Sequence, residues 1–209
     1  MRYATTTACY VLDLNVWVDL AQRIDLRRVD RPAELGRALS ALLDTSPATR
    51  AEEGLHAAAR LVEQACRGRG DGARLFASQE MITTLRHVLS RVISDPMPPA
   101  LAARYCAVVA MVCEVSGGRW NVDPRSVNDP ARGIFPELVG DAYGQIDHED
   151  LGVIATALAV RRDTGGPGVV LVTFDRGLQG VGASIAGRDV LVLSPQKLHR
   201  VTSALARRA

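Results

Sequence analysis

Three short stretches of the chain are apolar at nearly every position. They cover Cys9–Leu12, Val169–Phe174 and Val190–Leu193, and each is rich in β-branched residues. Continuous apolarity over so few residues is typical of strands buried on both faces, as in a parallel sheet. A fourth and weaker candidate strand is Arg74–Ala77. The pattern therefore predicts a central parallel sheet.

Helical periodicity fills the intervals between these strands. In the first helical interval a proline in the first turn is followed by apolar residues on one face, at helical spacing. The last predicted helix is apolar nearly all round, which indicates a buried helix. Strands that alternate with helices predict an α/β fold with right-handed crossovers. The predicted helices are Pro32–Leu43, Ala51–Cys66, Glu80–Ile93, Ala100–Val115 and Leu151–Val160.

The chain has 209 residues, and a prior of about 150 residues per domain predicts one domain with insertions. We expect this domain to span residues 1–209, with a helical insertion around residues 25–70. Glycine and proline place loops at Arg67–Gly72 and Ser94–Pro99. Residues 117–144 are weakly periodic and predict a long loop, which in a compact domain is usually functional or partly disordered.

Composition narrows the function only a little. The net charge of +2 lacks the strong basic excess that marks many nucleic-acid binders, although arginine supplies nearly all the positive charge and suits phosphate. The four cysteines are scattered, which predicts buried reduced thiols, and the scattered histidines make a zinc site improbable. No signal peptide or membrane span is evident, so we expect a cytoplasmic protein without membrane association.

Two aspartates directly follow predicted strands. Asp13 follows the first strand, and Asp175 follows the strand that ends in Thr173 and Phe174. Ligands of open parallel sheets bind beyond the carboxyl ends of the strands, which favours a functional role for both carboxylates. The structural alternative is that each aspartate only caps the helix after it.

A third acidic motif, Asp147-His148-Glu149-Asp150, precedes the buried helix. Asp147 and Asp150 are three residues apart and would share a helix face if both lay in the first turn. The alternative is again a cap, with Asp147 as the N-cap and Asp150 favouring the positive end of the helix dipole. Carboxylates crowded together repel one another unless a cation lies between them, and hard oxygen ligands indicate magnesium or manganese.

These motifs together resemble the PIN-domain family. The resemblance is carried by Leu12-Asp13-Leu14-Asn15, by Asp147-x-x-Asp150 before Ile154-Ala155-Thr156-Ala157, and by Val172-Thr173-Phe174-Asp175. It implies a three-layer α/β/α fold with a central parallel sheet and a metal-dependent ribonuclease of the VapC-like kind. It also implies that Asp13, Asp150 and Asp175 hold Mg²⁺ or Mn²⁺, with Asp147 as an additional ligand. Asn15 and Thr173 would be polar supports of that site.

One position departs from the family pattern. The family usually has a glutamate on the helix after the second strand, where this chain has Thr84. Glu80 lies one helical turn earlier and is predicted to face the acidic crevice and partly replace that glutamate. The alternative is that Glu80 only complements the helix dipole, with Ser78 as the cap. Phe174 is also bulkier than the small residue that the family usually has there.

The leading hypothesis is therefore an endoribonuclease that cleaves RNA, with Arg176 or Arg86 positioning phosphate. An inhibitory, antitoxin-like protein partner and a homodimer are further expectations. The main alternative is a PIN-like module that binds RNA or protein with weak or no catalysis. A haloacid-dehalogenase-type phosphatase is disfavoured, because its Asp-x-Asp motif would need an aspartate at Asn15. No Gly-x-x-x-x-Gly-Lys or Gly-x-Gly-x-x-Gly motif indicates a nucleotide hydrolase or a dinucleotide enzyme.

Overall fold

A computed structural model describes residues 8–68, 73–127, 147–165, 168–186, 189–198 and 200 of the chain. Five strands form one sheet in the order β3-β2-β1-β4-β5, and every neighbouring pair is parallel. The fold is therefore α/β with a central all-parallel sheet, as the sequence predicts. The strands are β1 (Ala8–Leu12), β2 (Ala73–Ser78), β3 (Arg119–Val122), β4 (Val169–Val172) and β5 (Val190–Leu193).

Within the described residues, seven α-helices connect or flank these strands, and a further helical turn covers residues 195–198. Shorter helical segments are 3₁₀ turns at Leu26–Arg28 and Pro124–Ser126 and a π-helix at Val88–Val92. The α-helices are α1 (Leu14–Arg23), α2 (Pro32–Leu43), α3 (Arg50–Cys66), α4 (Gln79–His87), α5 (Pro99–Val115), α6 (His148–Thr164) and α7 (Arg176–Ala186).

The strand order explains how the helices are distributed. The chain runs from β1 outward through β2 to β3, and then returns to place β4 on the other side of β1. Parallel crossovers are right-handed in nearly all proteins, so a reversal of direction sends the later helices to the opposite face of the sheet. In agreement, α3 and α5 pack on each other and on β2, whereas α6 has its main strand contacts with β4 and β1. This arrangement is consistent with three α/β/α layers.

The central strands are buried on both faces, which accounts for their continuous apolar sequence. Val11 of β1 pairs with Leu171 of β4, and both side chains are fully buried. Helix α6 is buried along residues 153–160 and contacts all five strands. The apolar pattern all round this helix is thus confirmed as the mark of a core helix.

One strand was not predicted. Strand β3 falls inside the stretch 117–144 expected to be a loop, so that prediction is wrong for residues 119–126, and residues 128–144 lie outside the described part of the chain. The strand lies at the edge of the sheet and exposes Arg119 and Asn121, so it lacks an apolar run. Gly118 permits the pairing with β2, since a Cβ there would lie 1.7 Å from the backbone oxygen of Leu75.

Smaller differences concern the ends of the elements. The helix predicted at Glu80–Ile93 ends at His87 and continues as the π-helix, and the strand predicted to reach Phe174 ends at Val172. All four cysteines are free thiols; three are buried, as predicted, whereas Cys66 is only partly buried. Within the described ranges, no helix combines the length and apolarity that a membrane crossing requires.

Candidate active site

The reversal of strand order puts the topological switch point of the sheet between the carboxyl ends of β1 and β4. In doubly wound sheets this switch point is where ligands bind. Asp13 follows β1 directly, and its backbone N–H donates to the oxygen of Val172 at 2.9 Å. This bond extends the pairing of β1 with β4 by one residue. Asp13 is therefore fixed at the carboxyl edge of the sheet by the sheet itself.

Asp13 is only 3% exposed, and its carboxylate accepts two short hydrogen bonds. Its Oδ1 accepts from the Leu14 N–H at 2.6 Å, which caps α1. Its Oδ2 accepts from the Thr173 hydroxyl at 2.6 Å. The predicted capping role is thus present, and it uses one of the two carboxylate oxygens.

Thr173 connects Asp13 to Asp175. The Thr173 hydroxyl, which is fully buried, donates to Asp13 and accepts from the Asp175 backbone N–H at 2.8 Å. Asp175 in turn accepts from the Leu178 N–H at 2.9 Å through Oδ1, in the first turn of α7. Asn15 lies next to this link, because its Oδ1 accepts from the Phe174 N–H at 3.5 Å. The two predicted supports, Asn15 and Thr173, therefore both lie between Asp13 and Asp175.

Asp147 and Asp150 lie at the start of α6. Asp147 is the N-cap, with extended backbone, and its Oδ1 accepts from the Asp150 N–H at 2.8 Å. The capping alternative therefore holds for Asp147, and the condition that both residues lie in the first helical turn is not met. Asp150 lies in that turn and is partly buried.

The electrostatics show that these carboxyl groups are near one another. Burial raises the pKa of Asp13 to about 6, while hydrogen bonds from Thr173, Leu14 and Asn15 lower it and the charge of Asp175 raises it. The pKa of Asp150 is raised to about 7. Burial is the largest cause, and repulsion from the charges of Asp147, Asp13, Asp175 and Glu149 adds to it. The expected raised pKa is found, but burial contributes more to it than the expected repulsion.

The donor chemistry suits a hard divalent cation. An ionised carboxylate has about four lone-pair sites, so the capping hydrogen bonds leave acceptor capacity on each aspartate. Carboxylate and hydroxyl oxygens are the ligands that Mg²⁺ and Mn²⁺ prefer. Among the described side chains, however, no group of three or more His, Cys, Asp or Glu residues is arranged to hold an ion. A shared ion would therefore need adjustment of these side chains.

Glu80 lies in the first turn of α4, and the Ser78 hydroxyl caps that helix by accepting from the Met81 N–H at 3.1 Å. The Glu80 side chain is 59% exposed and lies 3.9 Å from the Arg125 guanidinium. It lines a cavity together with Leu14 and Glu149, which are sequence neighbours of Asp13 and Asp150. Its charge is not among those that raise the pKa of either aspartate. Glu80 thus lines the cavity beside the aspartates without joining the carboxyl cluster.

The arginines expected to position phosphate occupy different places. Arg176 is exposed and follows Asp175 directly at the start of α7. Arg86 lies in a groove between α4 and α5 that also contains Cys106 and Trp120 and that none of the four aspartates lines. Arg125 lines the same cavity as Glu80. Its place near the site was not predicted, because it lies in the stretch expected to be a loop.

Comparisons with protein-family models, with curated proteins and with solved structures find no match to this chain. A function is therefore inferred from the residues and geometry described above.

Proposed function

We propose that the protein is a metal-dependent endoribonuclease with a PIN-like fold. The observation that carries the proposal is the link Asp13–Thr173–Asp175 across the switch point of the sheet, with Asp150 close enough to be affected by both charges. A helix cap requires one carboxylate oxygen at one helix, and burial of the carboxylate is not needed for it. Asp13 is buried and interacts electrostatically with Asp175 and Asp150. Ionisable groups crowded together in this way are typical of functional sites.

Asp13, Asp150 and Asp175 would hold Mg²⁺ or Mn²⁺, with Asp147 as an additional ligand. A bound ion supplies an activated water and stabilises the leaving oxygen. Thr173 orients the Asp13 carboxylate through its hydroxyl and fixes the backbone of Asp175. Asn15 holds the Phe174 backbone between them. Arg176, exposed beside Asp175, would contact a phosphate of the RNA.

The test is cleavage of single-stranded RNA by the purified chain with Mn²⁺. Asp13→Asn and Asp175→Asn should each lower the cleavage rate by roughly 100-fold or more, since both remove a charge from the site. Asp25→Asn is the matched control, because Asp25 also caps a helical turn but lies exposed in the loop after α1. Equal cleavage by Asp13→Asn and by the control would reject the proposal.

A second candidate is a PIN-like module that binds RNA or protein without catalysis. Two observations favour it: Thr84 stands where the family has a glutamate, and Glu80 is exposed beside Arg125. Calorimetric titration with Mn²⁺ separates the candidates when it is combined with the cleavage assay. RNA binding without Mn²⁺ binding or cleavage would support the module. If cleavage occurs, unchanged cleavage by Glu80→Gln would remove Glu80 from the mechanism.

A further inference from the structure

A polar crevice of about 570 Å³ lies beyond the carboxyl ends of β2 and β3. One wall is the start of α4, with Gln79, Glu80 and Thr83. The opposite wall is the end of β3 and the turn after it, with Asn121 and Asp123. The crevice lies on the same edge of the sheet as Asp13, because all five strands are parallel.

This crevice continues toward the acidic residues. A smaller cavity of about 330 Å³ has Glu80, Thr84, Pro124 and Arg125 in common with it. The smaller cavity extends to Leu14 and Glu149, the neighbours of Asp13 and Asp150. The two cavities therefore form one path that begins at the sequence neighbours of Asp13 and Asp150 and ends between α4 and β3.

The walls of the crevice carry two side-chain amides, those of Gln79 and Asn121. Gln79 and Asn121 are exposed, and neither side chain makes a hydrogen bond to another described residue. Each amide offers an acceptor and a paired donor in one plane. This is the pattern with which Asn and Gln recognise base edges, and splayed bases of single-stranded RNA offer such edges.

The charges favour a base over a phosphate inside the crevice. Among the described residues that line it, Glu80 and Asp123 bring two carboxylates and Arg125 brings one guanidinium. An anion would be repelled, whereas an exocyclic amino group can donate to a carboxylate. Arg125 is 84% exposed and lies 3.9 Å from Glu80, at the junction of the two cavities. Its position suits the phosphate that joins a base in the crevice to the scissile bond at the aspartates.

We propose that this crevice is a nucleobase subsite of the RNA substrate, which takes adenine or cytosine in preference to uracil through Gln79, Asn121 and Glu80. This inference rests on the proposed function for the position of the scissile bond. The base sits next to the cleavage site, and Arg125 contacts the intervening phosphate.

The first experiment is Mn²⁺-dependent cleavage of a random-sequence RNA, with all cut sites read by sequencing. The expected result is a fixed position next to the cut at which adenine or cytosine exceeds uracil by roughly 5- to 100-fold. Gln79→Ala and Asn121→Ala should each reduce that preference. Gln64→Ala is the matched control and should retain it, because Gln64 is exposed near the end of α3, which leads to the amino end of β2. Cleavage without base preference, or a preference that both variants retain, would overturn the subsite.

If no cleavage occurs, the proposed nuclease is rejected. The second experiment then tests the subsite by binding alone. Fluorescence anisotropy compares the binding of labelled rA5, rC5 and rU5 to the wild type, Asn121→Ala and Gln64→Ala. Tighter binding of rA5 and rC5 than of rU5, lost in Asn121→Ala alone, supports the subsite. Equal binding of the three oligonucleotides overturns it.

Discussion

Replacing Asp13 by asparagine should stabilise the fold at neutral and alkaline pH. Burial raises the pKa of this carboxyl from 3.8 to about 6 in the folded chain. The folded state therefore binds a proton more tightly than the unfolded state, and stability is lost as pH rises between these two values. At about 1.4 kcal/mol per pH unit, ionisation of Asp13 costs the folded state ~3 kcal/mol above about pH 7.

The asparagine variant avoids this cost but makes weaker hydrogen bonds. Its carbonyl oxygen can still accept from the Leu14 N–H, while its amide N–H would donate to the Thr173 hydroxyl oxygen, as a protonated carboxyl would. The raised pKa already contains the loss of the charge-assisted bonds, because it is the net effect of burial and of those bonds. The gain is therefore ~3 kcal/mol at about pH 8, or a rise in melting temperature of ~6–12 °C for a chain of this length. The gain shrinks as the pH falls and disappears well below the unfolded-state pKa of 3.8, where the wild-type carboxyl is protonated in both states.

Urea unfolding from about pH 4 to pH 8 measures this difference as a function of pH. The free energy of unfolding of Asp13→Asn should exceed that of the wild type by an amount that grows through the pH range of the Asp13 titration. Asp25→Asn reports the loss of a carboxylate cap at an exposed site. A variant less stable than the wild type at about pH 8 would show that capping outweighs the cost of burying the charge.

Three further perturbations test the same structure. Thr173→Val removes both hydroxyl contacts and should destabilise the fold by ~1–3 kcal/mol in urea, whereas Thr173→Ser should restore most of that; equal losses would assign the effect to packing. Mn²⁺ at about 100 times its dissociation constant should stabilise the wild type by ~2.7 kcal/mol in a thermal melt and leave Asp13→Asn unchanged; the same rise in both would exclude Asp13 as a ligand. Gly118→Ala should cost roughly 2–4 kcal/mol, because the new Cβ would lie 1.7 Å from the Leu75 oxygen. Gly180→Ala, with no atom within 4 Å of the new Cβ, should be neutral or stabilising, and similar melts for the two would refute the close approach at Gly118.

The strands that the sequence predicts are those whose environment leaves a pattern in it. Strands β1 and β4 lie inside the sheet, so both faces are apolar and the run is continuous. Strand β3 lies at the edge and exposes alternate polar residues, and it needs Gly118 only for its close approach to β2. In the sequence alone, a glycine followed by alternating polar residues cannot be told from a loop.

The residues of the candidate site also fall into two groups, those whose position the sequence predicts and those whose position needs the structure. The positions of Asp13 and Asp175 follow from the ends of buried strands, which the sequence predicts. That Thr173 bridges the two depends on the pairing of β1 with β4 and on side-chain direction. The exposed position of Glu80 beside Arg125 depends on how β3 packs against α4, and β3 itself was not predicted. Side-chain geometry of this kind requires the tertiary structure.

The position of β1 in the middle of the sheet also bears on how the protein is made. The hydrogen bond between Thr173 and Asp13 joins residues 160 apart in sequence. During synthesis the amino-terminal part of a chain can fold first, but β1 gains its partner β4 only after more than four fifths of this sequence has left the ribosome. Contacts over such separations form slowly because the loop they close is long. A nascent chain therefore carries Asp13 apart from Asp175, and the carboxyl cluster can form only after residue 175 has left the ribosome.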